Sequence, residues 1–344
     1  MEALRGRNVL VTGGCGSIGS ELIEQLLAAE PAVIRVFDTN EAALFDLQEE
    51  YGKRGRLRYL LGDVRDRDRL EMAIEDIDVV FHAAALKHVE LTEYNPFEAV
   101  RTNVQGTQNL VRVAVEEEVD SFVNVSTDKA SNPVSVMGAT KLLSERLVIA
   151  ANAYKGTKET RFGCVRFGNV LGSSGSVVPV FMDQIREGGP VTVTDPDMTR
   201  FVMPIEEAAG LVLEAHDRMT SGEVFVLKMP AFRVGDLAEV MVEQYAPLLG
   251  YDPEDVPIER VGARPAERVH EKLVSRDEST YARDLGDMFA ILPQIDVPGY
   301  EAVNYDDAPT VSGEYTSRDE RLLSKDELVE LIESANVPGL TPTD

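Results

Sequence analysis

Short apolar runs alternate with amphipathic segments along the first half of the chain. The apolar runs are rich in β-branched residues and occupy 8–12, 33–37, 57–62, 78–85, 121–126 and 162–168. Between them, apolar residues recur at spacings of three and four, which predicts helices. Near-continuous apolar strands separated by helices favour a parallel sheet that is covered on both faces. We therefore predict an α/β fold with a Rossmann-type, doubly wound parallel sheet.

The alternation weakens after about residue 168, where Gly and Pro become frequent. We expect residues 1–168 to form the Rossmann domain and residues 169–344 to form a smaller C-terminal domain, with some elements returning to the sheet. Ser324 and Glu327 have the spacing of a capping box, which predicts a final helix. Amphipathic spacing predicts further helices at 177–187, 205–219 and 235–246, and a long helix from Pro96 that carries Val100, Val104, Leu110, Val111 and Val115.

The charge of the chain is strongly acidic. Its 344 residues include 60 acidic and 34 basic side chains, for a net charge of −26, and Lys is scarce beside Arg. Such a surface repels nucleic acid and anionic lipid, so neither is expected as a partner. Excess carboxylate with little Lys is also typical of proteins adapted to molar salt, where self-repulsion is screened. An ordinary acidic protein remains the alternative.

Membrane, disulfide and metal chemistry find little support in the sequence. No apolar run approaches the roughly 20 residues of a membrane helix, and the chain runs from its first residues into a predicted strand, which favours a protein without a signal peptide. Cys15 and Cys164 are the only cysteines, so a reducing cytoplasm is expected. The four His residues lack metal-ligand spacing, so no metal is predicted. His82 is expected to be a satisfied core residue.

A Gly-rich turn, VTGGCGSIGS, follows the first strand and opens the first helix. It contains G-x-G-x-x-G and also the looser T-G-x-x-G-x-x-G. Glycines in this context allow a tight turn and let a pyrophosphate approach the backbone at the start of a helix. The motif alone is common, but this position predicts a dinucleotide site. The predicted contacts are Gly13, Gly16, Ser17, Ile18 and Gly19.

Asp38 ends the second strand, where a carboxylate accepts hydrogen bonds from the adenosine ribose and repels a 2′-phosphate. The two residues that follow it include no Arg for such a phosphate. We therefore predict NAD as the cofactor, with NADP as the alternative. Small or acidic residues after the third and fourth strands leave space for adenine and ribose, unless they serve packing only. They are Asp63, Val64, Ala83 and Ala84.

Several long blocks resemble a known family. The segments TGGCGSIGS, GDVRD, STDKASNP and MGATK are similar to those of the extended short-chain dehydrogenase/reductases. The blocks HAAALKHVELTEYNP, RFGNVLGSSGSVVP, DMTRFVMP and GARPAERVHE resemble the inverting UDP-N-acetylglucosamine 4,6-dehydratases and their capsule-biosynthesis relatives. The resemblance extends over about residues 5–275. It implies NAD(P) binding mainly in the first domain, with Val170 of the second domain among the cofactor contacts, and sugar-nucleotide binding mainly in the second.

The resemblance also implies an internal redox reaction. Bound NAD(P)+ oxidises the carbon 4 hydroxyl, water leaves across carbons 5 and 6, hydride returns to carbon 6, and reprotonation inverts carbon 5. A ketone at carbon 4 acidifies the proton on carbon 5, so a base and an acid are needed there. By resemblance, Lys129 is that base, Asp128 the acid, and Thr127 a partner of the carbon 4 oxygen. A cofactor cation is expected to lower the pKa of Lys129. A surface ion pair is the alternative.

Met137 departs from the family pattern. By resemblance, Lys141 holds the nicotinamide ribose and assists a Tyr four residues before it, but this chain has Met137 at that position. A thioether cannot take up a proton. Either the protein is inactive, or another group accepts the carbon 4 proton. The candidates are Lys129, or Lys141 acting through the ribose hydroxyl and Thr127, and the sequence does not choose between them.

Residues of the second half match family positions that bind the sugar nucleotide. By resemblance, Arg200 and Arg264 hold the diphosphate, which suits the guanidinium fork, and Glu267 takes the uridine ribose. Relatives read Gly-Glu-Lys where this chain reads Ala266-Glu267-Arg268, so the backbone angle at Ala266 stays open. Each residue taken singly has a structural alternative, such as a surface ion pair. Further matched substrate contacts are Lys87, Asn169, Val178 and Thr194.

Two other functions stay open at this point. A UDP-sugar 4-epimerase would share the scaffold and the ketone, but it needs no acid–base pair at carbons 5 and 6. A non-catalytic NAD-binding sensor would explain Met137 but not the retained Asp128 and Lys129. The expected substrate is a UDP-N-acetylhexosamine, and the family's relatives imply a homo-oligomer, from dimer to hexamer.

Overall fold

A nine-stranded, mostly parallel sheet lies at the centre of the fold. The computed structural model describes residues 2–52, 55–173, 176–262, 266–297 and 305–335. In the described chain the strands are β1 (Asn8–Thr12), β2 (Val33–Asp38), β3 (Leu57–Leu61), β4 (Val79–His82), β5 (Ser121–Val125), β6 (Arg161–Arg166), β7 (Asn169–Val170), β8 (Val191–Val193), β9 (Thr199–Met203), β10 (Val224–Leu227), β11 (Ala231–Arg233), β12 (Ile258–Arg260), β13 (Lys272–Val274), β14 (Ala282–Asp284), β15 (Met288–Ile291) and β16 (Tyr315–Thr316).

Helices connect most of the strands of this sheet. They are α1 (Ser17–Ala28), α2 (Glu41–Tyr51), α3 (Arg67–Ile74), α4 (Val89–Tyr94), α5 (Pro96–Ala99), α6 (Thr107–Glu116), α7 (Val136–Tyr154), α8 (Val177–Arg186), α9 (Ile205–Arg218), α10 (Val234–Tyr245), α11 (Arg276–Ser279) and α12 (Lys325–Ser334). The four helices predicted in the second half, near 177–187, 205–219, 235–246 and after Ser324, are confirmed as α8, α9, α10 and α12. Ser324 and Glu327 form the expected capping box.

The central sheet has the order β3-β2-β1-β4-β5-β6-β10-β15-β14. Strands β3 to β10 in that order are parallel, β15 is antiparallel to β10, and β14 is antiparallel to β15. The chain runs from β1 to β2 and β3 on one side of the sheet and then returns to β4 on the other side of β1. Doubly wound folds bind ligands at such a switch point. The predicted Rossmann-type α/β fold is confirmed.

The inner strands are apolar because both faces of the sheet are covered. Every residue of β4 and β5 is buried, and α1 packs against α9 on one face. At that contact Gln25 Nε2 donates to the carbonyl oxygen of Glu206 at 2.7 Å. Since α9 comes from the second half of the chain, both halves contribute to the main hydrophobic core.

His82 is a satisfied core residue, as expected. Its Nδ1 lies 2.7 Å from Thr12 Oγ1 and its Nε2 lies 2.9 Å from Thr107 Oγ1. Burial, with a smaller effect of Lys141, lowers the pKa of His82 to about 3. The imidazole is therefore neutral and joins β1, β4 and α6 beneath the sheet's carboxyl edge.

The second half of the chain divides between the central sheet and a smaller core. Strands β10, β14 and β15 extend the sheet, whereas β11-β9-β7 and β12-β8 form separate small sheets. Val178, Phe181, Met241 and Leu328 belong to a second hydrophobic cluster. The domain boundary at residue 168 stays a prediction, because chain on its far side contributes to both cores.

The helix predicted from Pro96 to Val115 is interrupted. After α5 the chain makes a π-helical turn at Val100–Gly106, and α6 follows. Asn103, buried in this turn, donates from Nδ2 to Leu86 O and Thr140 Oγ1, both at 3.0 Å, and accepts from Leu86 N at 2.8 Å. The wider turn thus lets Asn103 hold the loop after β4. Helical periodicity does not predict this turn, because the hydrogen bonds that favour it are tertiary.

Candidate active site

A cavity of about 980 Å³ opens along the carboxyl ends of the parallel strands. Its wall runs from the Gly-rich turn after β1, past the ends of β4 and β5, to the chain around Glu267 and Glu271. The volume is at the upper end of the range for small-molecule sites. Predicted site residues that line it include Gly13, Gly16, Ser17, Ile18, Gly19, Asp38, Asp63, Val64, Ala83, Ala84, Lys87, Thr127, Lys129, Met137, Lys141, Asn169, Val170, Val178, Arg200 and Glu267.

The Gly-rich turn is packed too closely for side chains. Gly13 has a φ of 67°, and a Cβ there would lie 2.6 Å from the backbone nitrogen of Ala84. A Cβ at Gly19 would overlap the carbonyl oxygen of Gly13. Because α1 begins at Ser17, the first residues of the helix line the cavity, and they bring the positive end of the helix dipole to its wall. These residues fit a dinucleotide pyrophosphate.

Asp38 stands where a ribose-binding carboxylate is expected. Its Oδ2 accepts from the backbone N–H of Cys15 at 3.0 Å, and its Oδ1 accepts from the N–H of Asn40 at 3.0 Å. The two bonds fix the carboxylate beside the Gly-rich turn on the cavity wall. A fixed negative charge at this position suits ribose hydroxyls and opposes a 2′-phosphate.

Thr127, Asp128 and Lys129 converge at the end of β5. The chain makes a 3₁₀ turn at Asp128–Ala130, which brings adjacent side chains together. Thr127 Oγ1 donates to Asp128 Oδ1 at 2.7 Å, and Lys129 Nζ donates to the same oxygen at 3.0 Å. The side chain of Asp128 is fully buried, whereas that of Lys129 is 28% exposed. The described residues that line the cavity do not include Asp128.

Sequence reasoning missed a second carboxylate beside Lys129. Glu271 Oε1 lies 3.8 Å from Lys129 Nζ and 3.9 Å from Arg200 Nε. Glu271 is only 4% exposed and lines the cavity. It sits within the block GARPAERVHE, but neither spacing nor periodicity links that block to β5. Only the folded chain brings them together.

The protein groups around Lys129 raise its pKa, and the lowering expected from a cofactor cation stays a prediction. Burial alone would lower it, but the carboxylates of Asp128 and Glu271 stabilise the ammonium and outweigh that effect. Burial in turn raises the pKa of Glu271, although Lys129 and Arg200 oppose the rise. The expectation from sequence considered the cofactor cation near Lys129 but not the carboxylate of Glu271, which a distant segment of the chain supplies.

Lys141 has the opposite shift. It is buried on α7, and its Nζ donates to the carbonyl oxygen of Val125 at 2.6 Å. Burial lowers the pKa of Lys141 to about 8, against a smaller opposing effect of Glu145. Met137 lies on the same helix, is also buried, and lines the cavity with Lys141. A thioether therefore stands one turn away from an amine that is partly neutral near pH 8.

A buried ion-pair cluster supports the 3₁₀ turn at Asp128–Ala130. Arg166 at the end of β6 bonds Glu145 of α7 at 2.7 Å and Glu278 of α11 at 3.0 Å. Ser126 Oγ donates to Glu145 Oε1 at 2.5 Å, and Ser131 Oγ donates to Glu278 Oε2 at 3.3 Å. These bonds hold both ends of the segment that carries Thr127, Asp128 and Lys129.

Arg200, which lies beside Glu271, also contacts Glu267. Arg200 Nη2 donates to Glu267 Oε1 at 3.2 Å, and its Nη1 donates to the carbonyl oxygen of Val269 at 3.2 Å. Thr194 Oγ1 also donates to Glu267 Oε1, at 3.3 Å. Thr194 is not among the described lining residues, so it acts on the site through Glu267. Arg264, the other predicted diphosphate contact, lies outside the described residues.

Ala266 has a left-handed backbone, with a φ of 63°. Ala266 therefore adopts the backbone angle that Gly favours, at the position where relatives have Gly. The cavity wall includes Ala266 together with Glu267 and Arg268. The turn therefore has a backbone conformation that Gly adopts without strain, whereas the methyl group of Ala266 disfavours it.

Known proteins with similar sequences include nucleotide-sugar dehydratases and epimerases. A model of the polysaccharide biosynthesis protein family matches residues 9–293. An uncharacterized membrane protein of Methanocaldococcus jannaschii is 57% identical over 84% of this chain and 86% of its own length. A UDP-N-acetylglucosamine 4,6-dehydratase (inverting) of Campylobacter jejuni is 41% identical over 84% of each chain. A UDP-glucose 4-epimerase of Rickettsia canadensis is 35% identical over 96% of each.

Solved structures share the fold. Pen from Bacillus thuringiensis superposes with a TM-score of 0.89 at 43% identity, covering 96% of this chain and 98% of its own. DesIV from Streptomyces venezuelae, a dTDP-glucose 4,6-dehydratase with NAD and TYD bound, has a TM-score of 0.66 at 27% identity, covering 76% of this chain and 86% of its own.

None of the helices in the described part of this chain combines the length and apolarity that a bilayer span requires.

Proposed function

The chain belongs to the polysaccharide biosynthesis protein family, and from that premise we propose that it is an NAD(P)-dependent nucleotide-sugar 4,6-dehydratase. The finer proposal is a UDP-N-acetylglucosamine 4,6-dehydratase that inverts carbon 5. One observation carries it: Lys129, held between two carboxylates at the end of β5, shares a single cavity with the Gly-rich turn and Lys141.

The cavity supplies the groups that dehydration needs. Hydride acceptance from carbon 4 and hydride return to carbon 6 are the chemistry that a bound nicotinamide supplies. Lys129 takes the carbon 5 proton, which a ketone at carbon 4 makes acidic. Thr127 holds the carbon 4 oxygen, and a neighbouring carboxyl protonates the departing hydroxyl at carbon 6. Asp38 favours NAD over NADP for the reason given above.

Lys141 is the better candidate for the proton acceptor that replaces the missing Tyr. Its pKa of about 8 leaves a minor but accessible neutral fraction near physiological pH, whereas the pKa of Lys129 is raised. Efficient proton transfer favours a group whose pKa lies close to the working pH. In this proposal Met137 shapes the cavity wall and carries no proton.

Arg200 and Glu267 supply the recognition of the nucleotide. The guanidinium suits diphosphate oxygens and the carboxylate suits ribose hydroxyls. Their mutual bond at 3.2 Å orients both groups before a ligand enters. The same cavity is also lined by Asn169, Val170, Val178 and Lys87.

An epimerase is the second candidate, because an epimerase relative covers nearly the whole chain. The two functions differ in the need for a base and an acid at carbons 5 and 6. The purified protein, in molar KCl with UDP-N-acetylglucosamine, is expected to yield a product lighter by one water. An isomer of unchanged mass would favour epimerisation, and no change would favour a sensor.

The base is tested by Lys129→Ala. Loss of the amine is expected to reduce water loss by at least about 100-fold, the usual contribution of a general base. Lys325→Ala is the matched control, because Lys325 lies on α12 and pairs with the exposed Glu239 and Glu243. Dehydration that survives in Lys129→Ala would contradict the proposed role.

A further inference from the structure

Two carboxylates face Lys129, and they differ in their access to the cavity. Asp128 Oδ1 is 3.0 Å from Lys129 Nζ and also accepts from Thr127. Its Oδ2 is buried and has no hydrogen-bond partner. Asp128 is thus enclosed by protein on the side away from Lys129, and it does not line the cavity in the described chain.

Glu271 approaches Lys129 from the opposite segment and lines the cavity. Its backbone N–H donates to Ser317 Oγ at 2.9 Å, which fixes the chain just before β13. The charged groups that face its carboxyl are Lys129, Asp128, Arg200 and Arg268. Two of these come from the 3₁₀ turn, one from β9 and one from the chain just before Glu271.

We propose that Glu271 is the general acid that protonates the departing hydroxyl at carbon 6, and that Asp128 positions Lys129 and Thr127. The inference rests on the proposed dehydratase function. Geometry carries it: an acid must reach the leaving oxygen, and of the two carboxyls beside Lys129 only Glu271 borders the space where a sugar fits. Burial, which disfavours its charged form, supports the assignment.

The proton count of this step balances. Lys129 transfers a proton to Glu271, which breaks an N–H bond, forms an O–H bond and leaves a neutral amine beside a neutral carboxyl. The lone pair of the amine then takes the carbon 5 proton, the electron pair of the broken C–H bond forms the double bond between carbons 5 and 6, and the bond between carbon 6 and its oxygen breaks. The carboxyl gives its proton to the carbon 6 oxygen, and water leaves. Lys129 and Glu271 return to ammonium and carboxylate.

Glu271→Gln separates the acid from the base. In deuterated water, carbon 5 of the recovered substrate is expected to take up deuterium still, because loss of the Glu271 carboxylate favours the neutral form of Lys129 and its partly exposed amine can lose a proton to solvent instead. Water loss is expected to fall by about 100-fold or more, the usual contribution of a general acid. Mass spectrometry reads both outcomes from one reaction. Equal loss of both would contradict the proposal.

Asp128→Asn gives an independent measurement, so the inference stays testable if Glu271→Gln fails to fold. Exchange and water loss are expected to fall together in this variant, because the amide no longer holds the ammonium. If Asp128→Asn instead keeps exchange and loses dehydration, Asp128 is the acid and the proposal is wrong. Glu259→Gln removes an exposed carboxylate on β12 and is the charge-matched control.

A substrate analogue provides the rescue. With fluorine in place of the carbon 6 hydroxyl, the leaving group needs little proton assistance, so Glu271→Gln is expected to release fluoride within about 10-fold of the wild-type rate. Failure of this rescue in a folded variant would overturn the acid role. If the wild-type protein shows neither exchange nor water loss, the proposed function fails instead, and the two failures are thereby distinguished.

Discussion

Lys129 and Lys141 lie in one cavity and have opposite pKa shifts. The carboxylates of Asp128 and Glu271 hold the ammonium of Lys129, while Lys141 is buried with a carbonyl oxygen and no carboxylate in direct contact among the described residues. The two amines therefore suit different steps. Lys141 is partly neutral near pH 8 and can accept a proton there, whereas Lys129 in the wild-type protein first transfers a proton to Glu271.

The Lys141 assignment predicts a pH dependence for the oxidation step. A base must be neutral, so the rate is expected to rise with pH and to level off above the pKa of about 8. Below that value it falls by about tenfold per pH unit, in proportion to the neutral amine. Single-turnover reduction of the bound nicotinamide, followed by its absorbance, measures this step. A flat profile between about pH 6 and about pH 9 would exclude Lys141 as the acceptor.

Individual residues show what a sequence reveals of this site. Asp128 and Lys129 are adjacent in a recognisable block at a strand end, so their convergence was predictable. Glu271 was not, because its contact with Lys129 depends on how β9 and β13 pack against the turn after β5. The raised pKa of Lys129 follows from Asp128 first and from Glu271 second.

At the scale of elements, backbone geometry positions the site. The π-helical turn before α6 lets Asn103 hold the loop after β4. Gly138 lets α7 pack against the 3₁₀ turn, since a Cβ there would overlap the carbonyl oxygen of Lys129. The helices around these turns were predictable from periodicity. The π turn and the short strands of the second half were not, because tertiary hydrogen bonds determine them.

The left-handed Ala266 predicts a stabilising substitution. Ala266→Gly is expected to increase the free energy of unfolding by about 1 kcal/mol, because Gly adopts this φ without a steric penalty. Ala42→Gly, at an exposed position in α2, is the control and is expected to decrease it by about 1 kcal/mol. Urea unfolding measures both. A loss of stability in Ala266→Gly would show that the methyl group makes a contact worth more than the strain.

At the scale of the whole molecule, one cavity depends on both halves of the chain. The Gly-rich turn and Lys129 come from the first half, whereas Arg200 and Glu271 come from the second. Alternation of strands and helices was enough to predict the central sheet. The same alternation could not predict that α1 packs against α9, because amphipathic patterns show that a helix face is buried but not which element covers it.

The net charge of −26 predicts a dependence on salt. Raising KCl from about 0.1 M to about 1 M shortens the Debye length from about 10 Å to about 3 Å and screens the repulsion among surface carboxylates. The melting temperature is expected to rise by an amount on the order of 5 °C. Calorimetry in the two solutions measures the change. An unchanged or lower melting temperature in 1 M KCl would contradict adaptation to molar salt.

The transfer of hydrogen within one sugar tests the central claim most directly. UDP-N-acetylglucosamine that carries deuterium at carbon 4 is incubated with the protein, and the label is located in the product by NMR. The dehydratase account predicts that deuterium appears at carbon 6 of a product that has lost water. Deuterium that remains at carbon 4, with water retained, would contradict it.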